Sequence, residues 1–207
     1  AEHTQPDVRG VLRMIDAIRT AYTQRLPDLP WLDAAARADA RAKLHGLQAH
    51  IGAPAQPNAM DAEAIDAWYA DLPIGGAHWA NVLAARMHAH RQAWSLLGGE
   101  RPRGSLGARH TTDAHAAYSA LDNAIVCPAG LLQLPFYERD APMYLQYGAL
   151  GTLLAHEMTH AIDTPGRFFD ADGRRRTVRP ATRHASTAAR LDGLARSYEA
   201  VSYTHLT

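Results

Sequence analysis

Apolar positions recur at helical intervals through the first hundred residues. Val8, Val11, Leu12, Ile15, Ile18 and Tyr22 fall three or four apart behind Thr4-Gln5-Pro6-Asp7, which has the form of a capping box with proline in the first turn. That spacing predicts a helix, ended by Leu26-Pro27-Asp28-Leu29-Pro30. Asp33 is placed to cap a second helix whose Ala36, Ala40, Leu44, Leu47 and Ile51 form one stripe, stopped by Gly52 and Pro54. A shorter helix starts at Asp61 and carries Ile65, Trp68 and Leu72 into Pro73. Trp79, Val82, Leu83, Arg86, Met87, Ala93 and Leu97 predict a fourth, closed by Gly98-Gly99.

The pattern changes after Gly99. Glu100 to Arg109 is rich in Arg, Gly and Pro with little periodicity, the mark of a loop or domain junction. His115 to Ser119 and Ala124 to Cys127 read as two short strands joined by Ala120-Leu121-Asp122-Asn123, before Pro128-Ala129-Gly130 turns the chain. A helix follows from about Pro142 to Ile162, with Tyr147, Leu150, Gly151, Leu153, Leu154, Met158 and Ile162 making it apolar on both faces and therefore buried. A turn-rich segment, Asp163 to Arg179, leads to a last helix carrying Ala188, Leu191, Leu194 and Tyr198. No internal repeat is present. The fold class is mainly α with a small β part.

Composition narrows the partners. In 207 residues, 21 Lys+Arg balance 21 Asp+Glu, so no global field draws the chain to nucleic acid or to an anionic membrane. No run of about 18 apolar residues suggests a membrane span, and no basic-then-apolar leader opens the sequence, so no membrane contact is expected of this segment. Ala1 in place of Met leads to the expectation of a removed leader or a start further upstream. The single cysteine, Cys127, excludes an internal disulfide and reads as a small buried hydrophobe in a strand.

The chemistry concentrates in His156-Glu157-Met158-Thr159-His160. Residues four apart on a helix lie one above the other, so His156 and His160 can share one metal ion with Glu157 beside them. Neutral imidazoles suit zinc, and a catalytic zinc site holds three protein ligands and a water. Zinc lowers the pKa of that water toward ~7, and a neighbouring carboxylate can take its proton, which makes Glu157 the candidate general base. The bland alternative is a helical protein without catalysis, whose histidines are core residues or a weak metal clip. Against it, a polar trio on a buried helix costs several kcal/mol, on the order of the penalty for unpaired buried groups, unless a shared ion offsets it.

Other conspicuous residues have ordinary readings. His88-Ala89-His90 has two-residue spacing that points the rings apart, so solvent exposure is expected. Asp170-Ala171-Asp172-Gly173 lacks the closing glutamate of a calcium loop and reads as a hairpin-like turn. Arg174-Arg175-Arg176 reads as a solvated face, and Trp31, Trp68, Trp79 and Trp94 as core.

Several segments together resemble one family. Asn123 to Tyr137, Tyr147 to Gly151, His156 to Asp163 and Gly166 to Gly173 resemble the neprilysin and endothelin-converting-enzyme family of zinc metallopeptidases, as do Leu29-Pro30-Trp31-Leu32-Asp33, Lys43-Leu44 and Ile51-Gly52 upstream. A metzincin is excluded, because its required Gly and His positions hold Asp163 and Gly166. The resemblance implies a thermolysin-like zincin (gluzincin) catalytic domain and part of a helical capping domain that limits substrates to peptides. It implies that His156 and His160 are zinc ligands and Glu157 the base. It also makes His115-Ala116-Ala117-Tyr118 an edge strand on which a peptide lies extended, with His115 where the family has the Asn that grips substrate backbone, followed by Ala116. Asp163 is either a partner that orients a zinc histidine or a helix-end partner.

The family's third zinc ligand is a glutamate in a Gly-Glu-Asn-Ile-Ala-Asp helix, and no such segment occurs here. Glu199 follows Ser197-Tyr198, where the family still has the preceding helix, and is rejected. Val201 to Thr207 reads like one frame of the transposon mosaic-end adapter used in sequencing libraries. The expectation is therefore a fragment from an Ala/Arg-rich, bacterial genome: residues 1–99 a helical domain portion, 100–200 the first part of a zinc peptidase domain, 201–207 a non-native tail. Its third zinc-ligand glutamate lies beyond the chain, and the fragment alone is expected to be inactive. The resemblance favours an extracytoplasmic location, periplasmic or cell envelope.

Overall fold

Asp7 opens the first helix by accepting a hydrogen bond from the Gly10 N–H at 2.9 Å. A computed structural model describes residues 7–30, 32–53, 57–58, 61–95, 97, 113–163 and 166–176, with 189, 192–193 and 195–196 further on. Helix α1 runs Val8–Arg25 and buries Val11, Met14, Ile15 and Ile18. Asp7 is thus the N-cap itself and not the third helical residue of a box begun at Thr4, which lies outside the described residues. A 3₁₀ turn, Leu26–Asp28, ends α1 at the expected prolines. Asp33 caps α2, Ala34–Gly46, through the Ala36 N–H.

The stripe predicted to extend α2 to Ile51 is corrected. The helix stops at Gly46, and Gln48–Gly52 forms strand β1. Leu47 and Ile51 are buried either way, because four residues apart serves a helix and an alternating strand alike. A distant partner decides: β1 pairs in parallel with β3 (Ala124–Pro128), Gln48 opposite Ala124 and Ile51 opposite Cys127. Strand β2, Ala117–Ser119, pairs antiparallel on the other side of β3 with Ser119 opposite Ala124. The sheet order is β1-β3-β2, which leaves β2 on an edge, and every residue of the central β3 is buried.

Helix α3, Ala62–Tyr69, is capped by Asp61, and α4 spans His78–Ser95. They meet where Trp68 and Tyr69 pack on His88, ring centroids 6.3 and 5.4 Å apart. His88 is therefore buried, contrary to expectation, while His90 is exposed and stacks on Trp94. The core reading of the tryptophans fails for Trp79 and Trp94, which are 73 % and 62 % exposed; Trp68 is half-buried and Trp31 lies outside the described residues. Periodicity identified the apolar face of α4 but could not say whether anything covers it.

The long apolar helix is built in three parts: α5 (Met143–Gln146), a wider π turn (Tyr147–Gly151) and α6 (Thr152–Thr159). Gly151 stands where α1 passes, and a Cβ there would meet Met14 Sδ at 3.3 Å. Leu150, Leu154 and Met158 then join Val11, Ile15, Leu44, Leu47, Ile51, Ile125, Cys127 and Leu131 in one core. Residues before 53 and after 115 thus share a single apolar interior. None of the described helices is long and apolar enough to cross a membrane.

Beyond α6 the segment 170–173 is a turn: Asp170 Oδ1 accepts from the Asp172 and Arg174 N–H groups at 2.9 Å, and Gly173 sits at φ +76°. Arg174 and Arg175 are solvated. Arg176 is not: it donates to Asp39 Oδ2 at 2.6 Å and to the Phe169 carbonyl at 2.8 Å. Residues 98–112, the stripe of the last predicted helix and residues 201–207 lie outside the described residues, although 189, 192–193 and 195–196 are helical.

Candidate metal centre

Helix α6 ends at its own chemistry. His156 stands in the last turn and His160 at the C-cap, still in the helical region of backbone space. One turn apart, their rings lie nearly perpendicular, and the two Nε2 atoms approach to 3.2 Å. Glu157 offers a carboxylate oxygen to the same point, all three ligand atoms lying within 4.8 Å of one another. A tetrahedral zinc holding two imidazoles at ~2.0–2.1 Å sets their nitrogens roughly 3.3 Å apart. The 3.2 Å between the two Nε2 atoms matches that spacing.

The carboxylates around the pair divide the work. Asp163 Oδ2 lies 2.8 Å from His160 Nδ1; a carboxylate can only accept, so Nδ1–H donates the hydrogen bond and the neutral ring carries its lone pair on Nε2. Glu157 is buried, and its Oε2 accepts the backbone N–H of Tyr118 at 2.8 Å. One carboxylate oxygen is thereby held by the edge strand. Below the histidines, the Tyr22 hydroxyl meets Thr159 Oγ1 at 2.6 Å and donates to the Ala155 carbonyl at 3.2 Å, fastening α6 to α1.

His115 and Ala116 lie just before β2, His115 exposed and Ala116 buried. The hydrogen-bonded strand thus begins at Ala117, two residues later than the expected edge strand. Cys127 is buried, and that burial pushes its thiol up to about 12, which disfavours the thiolate form. Two groups escaped sequence reasoning. The Tyr118 contact is a backbone donor, invisible in residue type. Lys43 sits within the apolar stripe of α2, a lysine where packing wants a hydrophobe, and that mismatch is the signal that could have found it.

Comparison with known proteins shows the family. Two models of peptidase family M13 match the chain, one over residues 1–54 and the other over 115–207. The chain belongs to peptidase family M13. It is 34 % identical over 177 residues to neprilysin-2 of Drosophila melanogaster, covering 83 % of this chain and 22 % of that protein. Human endothelin-converting enzyme 1 is 31 % identical over 177 residues, with the same coverage of 83 % and 22 %. The chain thus spans about a fifth of the length of these relatives. Among solved structures, the Mycobacterium tuberculosis zinc metalloprotease Zmp1 in complex with inhibitor superposes with a TM-score of 0.74 at 26 % identity, covering 92 % of this chain and 28 % of that one. This M13 chain is mainly helical with a small three-stranded mixed sheet, matching part of that structure.

Proposed function

We propose that this M13 chain carries the first part of the active site of a zinc metalloendopeptidase that hydrolyses peptide bonds in oligopeptides and small proteins. The observation that carries the reading is the 3.2 Å approach of His156 Nε2 to His160 Nε2, with Glu157 held beside them by the Tyr118 N–H. His156 and His160 would hold the ion. When bound, zinc supplies Lewis acidity, acidifying a water and polarising the scissile carbonyl. Glu157 takes the proton of the attacking water on its free oxygen and delivers it to the leaving amine. Asp163 keeps His160 in the ligating tautomer. The peptide lies extended beside β2, with His115 and Ala116, just before that strand, engaging its backbone.

Among the described residues only His156, Glu157 and His160 gather as such a group; in this reading the third protein ligand is the glutamate of the family's Gly-Glu-Asn-Ile-Ala-Asp segment, which this sequence does not contain. In this reading 1–99 contribute helical-domain structure and 100–200 the start of the peptidase domain as segments of sequence, with residues up to 52 packed into the core and sheet of the second segment. A zinc titration of the chain tests the centre. His156→Ala and His160→Ala should each abolish specific binding, and Glu157→Gln should leave it within a few-fold. Equal loss in all three variants, or none, would favour a non-catalytic helical protein with core histidines. In a full-length family enzyme carrying this segment, Glu157→Gln should remove peptide cleavage, whereas His115→Ala should mainly raise KM.

A further inference from the structure

Lys43 is the most buried charged side chain among the described residues, 1 % exposed. Among the described residues its ammonium enters no short ion pair. It donates instead to two carbonyls, that of Ala161 at 3.0 Å and that of Gly166 at 2.5 Å. Ala161 is the residue after His160, and Gly166 closes the turn by which the chain leaves α6. A helix C-terminus presents unpaired carbonyls and the negative end of the dipole, so a cation there is favoured. The approach is close: a Cβ on Gly166 would run into the His160 carbonyl oxygen. Asp163, the residue that bonds His160 Nδ1, lies within this turn.

The position of Lys43 is itself held. Its carbonyl accepts from Asn123 Nδ2 at 3.0 Å, and Asn123, fully buried at φ +48°, accepts from the Tyr118 hydroxyl at 2.9 Å. The same Tyr118 donates its N–H to Glu157. A continuous set of hydrogen bonds therefore runs from the candidate base through β2 and α2 to the residue after the second histidine. Burial, with the Arg176 charge adding to it, draws the ammonium down to about 8 against the opposing pull of Asp39 and Asp170, and an apolar residue would avoid that desolvation cost. A cation kept there in spite of its cost points to placement and not to packing.

We propose that Lys43 is a positioning residue for the metal centre: by holding the Ala161 and Gly166 carbonyls it fixes the turn that sets Asp163 against His160, and so aims His160 Nε2 at the ion. This rests on the zinc reading above. Partners that orient metal ligands are worth roughly 10- to 100-fold in metal affinity, and Lys43 acts one step further back, so about tenfold is expected.

The test is the zinc affinity of the 207-residue chain by competition with a chromophoric chelator, with His156→Ala giving the background of the other histidines. Lys43→Met should bind about tenfold more weakly, and Lys43→Met with Asp163→Asn no more weakly than Asp163→Asn alone, because both act through one hydrogen bond. Leu44→Ala, a core truncation on the same helix, should lower the unfolding midpoint yet keep wild-type affinity in the folded range. Should Lys43→Met fail to fold, Lys43→Gln, which keeps a donor, should bind a few-fold more weakly. Wild-type affinity in the Lys43 variant, additive losses in the double variant, or an equal loss in Leu44→Ala would overturn the assignment. Wild type binding no better than His156→Ala would overturn the zinc reading and this inference with it.

Discussion

Replacing Glu157 separates its charge from its hydrogen bond. The carboxylate is 8 % exposed, and its Oε2 receives the Tyr118 N–H at 2.8 Å. Glu157→Gln keeps the volume and an amide oxygen for that N–H, losing only the charge assistance while relieving a buried anion. A net change within about 1 kcal/mol follows. Glu157→Ala leaves the N–H of a half-buried strand residue without its acceptor, at about 1–3 kcal/mol, and removes a buried methylene worth about 0.8 kcal/mol. Its total of about 2–4 kcal/mol lowers the folding equilibrium constant roughly 30- to 700-fold. Urea unfolding of the metal-free chain, followed by far-UV circular dichroism, measures both variants. Amide exchange at Tyr118 should quicken in Glu157→Ala and stay protected in Glu157→Gln. Equal stability of the two variants, with Tyr118 equally protected, would refute the claim that β2 aims the candidate base.

Two further outcomes follow from burial and close approach. Burial raises the Cys127 thiol from 9.0 to about 12, so its contribution to stability is complete below about pH 9 and is lost as pH rises toward 12, at up to about 1.4 kcal/mol per pH unit; Cys127→Val should keep stability near pH 7 within about 1 kcal/mol and make the decline in urea midpoint above pH 9 shallower, a result that parallel curves would contradict. Gly166→Ala forces a Cβ against the His160 and Ala161 backbone, which no side-chain motion relieves, so it should cost more than about 3 kcal/mol by thermal unfolding and weaken zinc binding together with it; a loss below about 1 kcal/mol would show that the turn is not tight.

The sequence alone determined that His156, Glu157 and His160 share one helix end, because helical period and covalent geometry place residues four apart on one face wherever that helix sits. Caps at Asp33 and Asp61, the stop at Pro27 and the turn at Asp170 to Gly173 were legible for the same reason: each is satisfied by groups within a few residues. Tertiary structure decided whatever needed a distant partner. Gln48 to Gly52 is a strand because β3 lies beside it, His88 is buried because α3 brings Trp68 and Tyr69 over it, and Arg176 leaves solvent because Asp39 is within reach. The hydrogen bond to Glu157 comes from a backbone N–H on β2, and the cation at the end of α6 comes from Lys43 on α2. Such groups meet only when the core closes, since their energy depends on desolvation and on atoms contributed by separate elements, and neither quantity is encoded in local spacing.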